Sequence, residues 1–257
     1  MYLVKSCYKR DNIRIRNTIK IGTLTEYRDT EEQQIADRHE GKINLYFDLK
    51  KFHMPLSLLN QINTFSNSSS NFFLQDVQIR PDHLFANHVY AEVYSATSSL
   101  IKLNRYIFCI SELNHPNMCH DIFNDYDDYW HFNRDTVFLF GEMLSRSVLK
   151  EVINRTKDGE ALFTTNITTS DFLTVRWYCN RILYTPRQIF INNTKLYKEH
   201  REILYCLSEG HMVKPIDFKH EHEVRFIFDV YLNGSLLEPL NKSLFVSAEN
   251  IMPIIKL

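Results

Sequence analysis

Apolar and polar residues alternate from Tyr2 to Cys7 and again through Ile13, Ile15, Ile19, Ile21 and Leu24, predicting strands joined by a short element around residues 10–18. Residues 26–41 are nearly all polar and predict a loop, after which Ile43, Leu45 and Phe47 resume a strand-like face. The serine- and asparagine-rich stretch 63–71 predicts a second loop, because those side chains favour local turns over a continuous ladder. Residues 85–96 and 100–111, rich in Val, Tyr, Ile and Phe, predict strand partners. Residues 114–135 are acidic and aromatic with no clear period. Phe138, Phe140, Met143, Leu144, Val148, Leu149 and Val152 make a helical stripe over 136–155, and residues 173–184 return to a strand ended by Pro186. A second helix is expected over 194–209 with Gly210 as its C-cap, and Asn233-Gly234 is a tight-turn signal leading to apolar strands at 245–246 and 251–257.

Residues 219–228, Lys-His-Glu-His-Glu-Val-Arg-Phe-Ile-Phe, predict a strand with two unlike faces. Side chains alternate, so Glu221, Glu223 and Arg225 point one way while His222, Val224, Phe226 and Phe228 point into a core. Two carboxylates on one face repel unless a cation or ligand compensates them, and such pairs mark candidate sites. A solvated face on which Arg225 neutralises the acids explains the same pattern. Strands and helices interleave without any internal repeat, so the expected fold is a mixed sheet with a few helices, most simply α+β.

Composition narrows the function classes. The 257 residues carry 30 Lys plus Arg against 31 Asp plus Glu, so no global field attracts nucleic acid or anionic lipid. Five cysteines, Cys7, Cys109, Cys119, Cys179 and Cys206, are widely spaced and suit a reducing compartment. Charge follows within a few residues of the start and no apolar run reaches the length of a membrane span, so a cytoplasmic protein without a membrane partner is expected. Asn-x-Ser/Thr sequons such as those at Asn67, Asn154 and Asn166 then carry no glycosylation signal.

Familiar catalytic motifs are missing. No Gly-x-Ser-x-Gly turn, P-loop or Gly-x-Gly-x-x-Gly occurs in a chain with 6 glycines. Cys119-His120 with His115 has no paired-ligand spacing for zinc, so no metal site is expected there. His220 and His222 with a distant acid would open a metal-dependent nuclease reading.

The segment Ile19 to Arg28, the block Ile35-Ala-Asp-Arg-His-Glu-Gly41, Arg181-Ile-Leu-Tyr184 and His220 to Phe228 together resemble a bacterial family of uncharacterised proteins frequent in defence and toxin loci, distantly related to the ADP-ribosyltransferases. The resemblance covers both ends of the chain and leaves roughly residues 45–170 as an unmatched insertion. It implies a single ADP-ribosyltransferase-like domain over 1–257, a mixed, mainly antiparallel split sheet that grips NAD as substrate, and a toxin or anti-phage effector modifying a macromolecular acceptor, protein or nucleic acid, with an antitoxin protein as its partner if the enzyme is toxic. It also implies catalytic roles for Glu223 near the ribose, Glu221 toward the acceptor and Tyr27 against nicotinamide. Lys5, Thr23, Arg28 and Arg225 complete the implied cofactor-binding set. Lys5 stands where the family pattern has arginine or histidine, and Arg28 and Arg225 are equally suited to ion pairs with Glu26 or Glu223. A non-catalytic protein that binds a nucleotide or phage component fits the same residues.

Overall fold

The computed structural model describes residues 1–29, 40–67, 70–167 and 172–256. In chain order the elements are β1 (Tyr2–Cys7), α1 (Ile13–Arg16), β2 (Thr18–Thr23), α2 (Leu24–Asp29), β3 (Lys42–Pro55), α3 (Leu56–Asn67), β4 (Ser70–Pro81), β5 (His88–Ile101), β6 (Tyr106–Leu113), β7 (Asp128–Asn133), α4 (Val137–Lys157), β8 (Leu173–Arg181), β9 (Leu183–Tyr184), β10 (Gln188–Ile191), α5 (Asn193–Ser208), β11 (Val213–Lys214), β12 (Glu223–Leu232), β13 (Ser235–Leu236) and β14 (Leu244–Ser247). The architecture is α+β, as the interleaved patterns predicted.

The chain divides into two compact units. Unit 1 comprises residues 1–38, 104–182 and 217–257, and unit 2 comprises 39–103 and 183–216. Much of residues 45–170, from β6 through α4, thus belongs to the same unit as the two chain ends.

Unit 1 is an antiparallel sheet in the order β13-β12-β6-β1-β7, with β8 also pairing β12 and β2 pairing both β6 and β14. Helix α4 covers one face. Phe140, Leu144, Val148 and Val152 recur every fourth residue and are fully buried, together with Phe108, Phe132 and Phe226 of the sheet. Burying each such side chain stabilises the fold by roughly 1.5–3 kcal/mol relative to exposure. Gly141 lies on the same helix where a β-carbon would approach the Trp177 ring to 2.3 Å. A residue that weakens a helix interior is therefore what lets α4 lie against β8.

Strand β12 departs from the expected half-solvated pattern. It begins at Glu223, not at 219: residues Ile216–Glu221 form a 3-10 turn and His222 has φ +48°, which breaks the alternation between Glu221 and Glu223. Every residue from Glu223 to Val230 is buried, so the charged face is enclosed, not solvated. The expected partnership of 85–96 with 100–111 is also replaced. β5 pairs β3 and β4 in unit 2, whereas β6 pairs β12, β1 and β2 in unit 1.

Unit 2 is a four-stranded sheet in the order β10-β3-β5-β4 with α3 and α5 packed on one face. Its β10–β3 pair and the short β9–β11 pair are parallel, which makes the chain's strand pairing mixed as expected. The stretch 63–71 is not simply a loop: α3 runs to Asn67 and β4 starts at Ser70. Asn192 caps α5 by accepting from the Lys195 backbone N–H at 2.9 Å, but the helix ends at Ser208 and Gly210 opens a 3-10 turn after it. Asn233 and Gly234 turn β12 into β13 with φ +49° and +85°, the pair of positive angles a tight hairpin requires. The expected last strand over 251–257 is instead a 3-10 turn at Met252–Ile254 with an isolated bridge from Lys256 to His131. Residues 35–39 of the Ile35–Gly41 block and most of the expected polar loop lie outside the described residues, whereas Glu40 and Gly41 form a buried turn before β3.

Candidate functional site

The sheet of unit 1 is split along one edge of β6. At one end Leu113, Glu112 and Ser111 pair with Tyr2, Leu3 and Val4 of β1; at the other, Ile107 and Tyr106 pair with Gly22 and Thr23 of β2. Between these pairings the two strands part, and the β6 backbone there needs another partner. Lys5 supplies it, its Nζ donating to the Cys109 carbonyl at 3.0 Å while lying 5.4 Å from the Phe108 ring centroid.

A cleft of about 1050 Å³ opens at this split, wholly within unit 1. Tyr8, Tyr27, Phe108, Tyr126, Trp130 and Phe245 supply aromatic walls, and Lys5, Arg16 and Lys20 supply cations. Asp11 and Glu26 also line it, Asp11 paired with Arg16 at 3.3 Å and Glu26 with Lys20 at 2.6 Å. Flat apolar rings beside cations suit a ligand that combines a planar base with phosphate.

Tyr27 is placed by local sequence. Thr23-Leu24-Thr25-Glu26 is a capping box: Thr23 Oγ1 accepts from the Glu26 N–H at 3.2 Å, and Glu26 Oε2 accepts from the Thr23 N–H at 3.3 Å. This starts α2 directly at the end of β2 and turns the next residue, Tyr27, back over the strand. Gly22 leaves the room, since a β-carbon there would lie 2.8 Å from Tyr27 Cε2. Burial tends to raise the Glu26 carboxyl, but hydrogen bonds from Lys20 and Ser243 outweigh it and hold it below the usual carboxylate range. The Ser243 hydroxyl donates to Glu26 Oε2 at 2.6 Å, tying α2 to the segment before β14.

The predicted site residues fall into two groups. Lys5 and Tyr27 line the cleft. Glu223 and Arg225 are buried at 4% and 1% exposure and joined by Arg225 Nε donating to Glu223 Oε1 at 2.7 Å. They do not line the cleft, yet they lie within electrostatic reach of the Tyr27 hydroxyl. Burial, then Cys109, Glu223 and Glu26 push that hydroxyl well above its ordinary pKa, with Arg225 opposing them. Cys109 faces Arg225 across the β6–β12 ladder, and Ser111 faces Glu223. Glu221 is buried in the preceding turn, displaced from the strand face it was expected to share with Glu223. The His222 carbonyl accepts from the Glu112 N–H at 2.9 Å, and the Glu112 carboxylate is bound by Arg134 and Arg181, which fixes this entry to β12. Thr23 is fully buried as the α2 cap and its hydroxyl also donates to Asn241 at 3.1 Å, so it too lies off the cleft wall. Arg28 is half-buried on α2 and outside the lining.

Other candidates have different surroundings. Burial first, then Asp128, push the Cys7 thiol up to about 12, leaving it protonated within the cleft wall. His220 is exposed, its ring Nδ1 2.9 Å from the Asp217 carbonyl. Among the described residues no three His, Cys, Asp or Glu side chains gather as metal ligands, and no helix is long and apolar enough to cross a membrane. The aromatic walls Tyr126 and Trp130 were not identifiable from sequence, because no local period assigned the 114–135 stretch, and Phe108 lay in a predicted strand whose partner was misassigned. The Thr23-x-x-Glu26 pattern, by contrast, is a capping-box signal readable in sequence for the β2–α2 corner. No family model, curated protein or solved structure matches this chain.

Proposed function

We propose that unit 1 is an NAD-dependent ADP-ribosyltransferase whose cleft at the sheet split receives the dinucleotide. The observation that carries this reading is the meeting of Lys5 and Tyr27 on one cleft, with the Tyr27 hydroxyl in the field of Glu223. Aromatic walls offer stacking surfaces to the bases, and Lys5, Arg16 and Lys20 offer charge to the pyrophosphate. Breaking the nicotinamide–ribose bond develops positive charge on the sugar, and a fixed carboxylate such as Glu223 stabilises it. In this reading Glu223 leaves its hydrogen bond from Arg225 and turns toward the cleft to reach the ribose. Glu221 then orients the acceptor, and the effector role against a protein or RNA target follows from the family resemblance.

A second reading is favoured by a specific feature. Glu223 is buried and ion-paired off the cleft wall, as in a non-catalytic protein that binds a nucleotide and uses the acid structurally. Incubating the full chain with nicotinamide-labelled NAD separates the two. Nicotinamide release insensitive to chelator supports transfer chemistry; NAD binding without release supports the binding protein. Chelator-sensitive cleavage of RNA or DNA with no release points instead to the nuclease centred on His220 and His222.

A further inference from the structure

Strand β8 is an open edge of the unit 1 sheet. It pairs β12 in unbroken register from Arg181 opposite Val224 to Leu173 opposite Leu232, and among the described residues no strand pairs its other side. The phase of this ladder is set at its two ends. The Ile182 N–H donates to the Glu223 carbonyl at 3.0 Å, and the Asn233 N–H donates to the Phe172 carbonyl at 3.2 Å. Even-numbered residues of β8 therefore bond β12, while Leu173, Val175, Trp177, Cys179 and Arg181 direct their N–H and C=O groups outward. Burial agrees: β12 is buried from Glu223 to Val230, whereas no residue of β8 is buried.

Among the described residues nothing guards this edge. Proline, a bulge or an outward charge blunts most natural edge strands, and β8 has neither proline nor bulge. Its two arginines turn back over the sheet. Arg176 lies 4.8 Å from the Tyr231 ring centroid, and Arg181 binds Glu112. Leu173, Val175, Trp177 and Cys179 pack against the unit 1 core yet stay half-buried, as side chains with neighbours on one flank do. Phe138 of α4, 71% exposed, packs on Trp177 at 5.4 Å between centroids and widens the apolar flank beside the strand.

Register selects the occupant. A second β8, antiparallel and related by a two-fold axis at Trp177, opposes Trp177 to itself, Val175 to Cys179 and Leu173 to Arg181, so every outward residue of the strand is paired in phase. On the other face Thr174 meets Asn180 and Arg176 meets Tyr178, so no two like charges face each other. Moving the axis to Arg176 sets two guanidiniums in opposition and leaves Arg181 beyond the end of its partner strand. The axis at Trp177 also brings the largest apolar side chain of β8, with Phe138 beside it, against its own copy.

We propose that two copies of this chain associate through β8, joining their unit 1 sheets into one antiparallel sheet across a two-fold axis at Trp177. Sedimentation equilibrium of the full chain is expected to give twice the mass of one chain. Val175→Pro removes an outward N–H that β12 does not use, and should weaken association about tenfold or more while thermal unfolding stays close to that of the parent. Val175→Cys reads the register. Its thiol would face Cys179 of the partner subunit with α-carbons about 5.5 Å apart, within disulfide reach, whereas positions 175 and 179 of one strand stand about 13 Å apart, beyond it. Oxidation by dioxygen with a copper–phenanthroline catalyst should therefore link positions 175 and 179 of different copies, as peptide mapping detects. This link tests the pairing even where Val175→Pro fails to fold. A chain that is monomeric at its highest soluble concentration overturns the proposal. So does a dimer that folded Val175→Pro leaves intact, or one in which the 175–179 link does not form.

Discussion

Tyr27 rests on Gly22, so closely that a β-carbon at position 22 would meet the ring at 2.8 Å. That contact fixes one wall of the cleft and holds the Tyr27 hydroxyl near Glu223. Gly22→Ala is therefore expected to cost about 1–3 kcal/mol of stability through overpacking. The larger effect falls on the cleft: NAD binding by calorimetry should weaken at least tenfold, while the same substitution's circular dichroism spectrum stays that of the parent.

Glu26 closes the α2 corner, and its contribution depends on pH in a defined sense. Its folded-state carboxyl lies below the usual carboxylate range, so the stabilisation is present above its unfolded value and is lost as pH falls through the lowered folded value. The stability advantage of the parent over Glu26→Gln should therefore be full near neutrality and shrink on acidification. Urea unfolding of both proteins across that range measures it. Thr23→Ala, which removes the reciprocal cap, is expected to cost about 1 kcal/mol with little pH dependence.

Lys5 fills the gap that the split leaves in β6. Lys5→Met removes the donor to the Cys109 carbonyl and should destabilise the fold by about 1–3 kcal/mol. It also removes a cation from the cleft, so NAD affinity should lose part of its dependence on salt. Equal salt dependence in parent and variant would separate Lys5 from the phosphates.

Gly141 tests the packing that orients β8 and β12. A β-carbon there would lie within 2.3 to 2.6 Å of three Trp177 ring atoms, and the ring is also held by its Nε1 donating to Glu142 at 3.2 Å. Although alanine favours helices, Gly141→Ala is expected to lower thermal stability, where an uncrowded helix site would gain.

The parts of this molecule legible in sequence are those set by short-range periodicity. The stripe of Phe140, Leu144, Val148 and Val152 located α4 almost to the residue, and Asn233-Gly234 located the β12 turn. What stayed hidden depends on partners far along the chain. Residues 100–111 are apolar enough to pair with many strands, and only register placed β6 beside β12 rather than β5. His222 carries a left-handed backbone that no alternation rule anticipates, so Glu221 was wrongly aligned with Glu223. The site showed the same division. Glu223, Arg225 and Tyr27 stood out as residue types, but the cleft also needs Phe108 and Trp130, which only the folded sheet brings beside Lys5.

The Glu223–Arg225 pair gives the sharpest structural control. Arg225→Met leaves a buried carboxylate without this partner and should cost about 3–5 kcal/mol, whereas replacing both by Leu and Met should cost much less. A large loss in the double variant, measured by chemical unfolding, would mean that these positions require charge for the fold itself.

The most direct measurement is the rate of nicotinamide release from NAD by the parent, Glu223→Asp and Glu223→Gln, each matched to its thermal unfolding curve. Release by the parent is expected, with Glu223→Gln slower by about 10²- to 10³-fold at temperatures where it remains folded. Absence of release by the folded parent, or release undiminished in folded Glu223→Gln, would contradict that expectation.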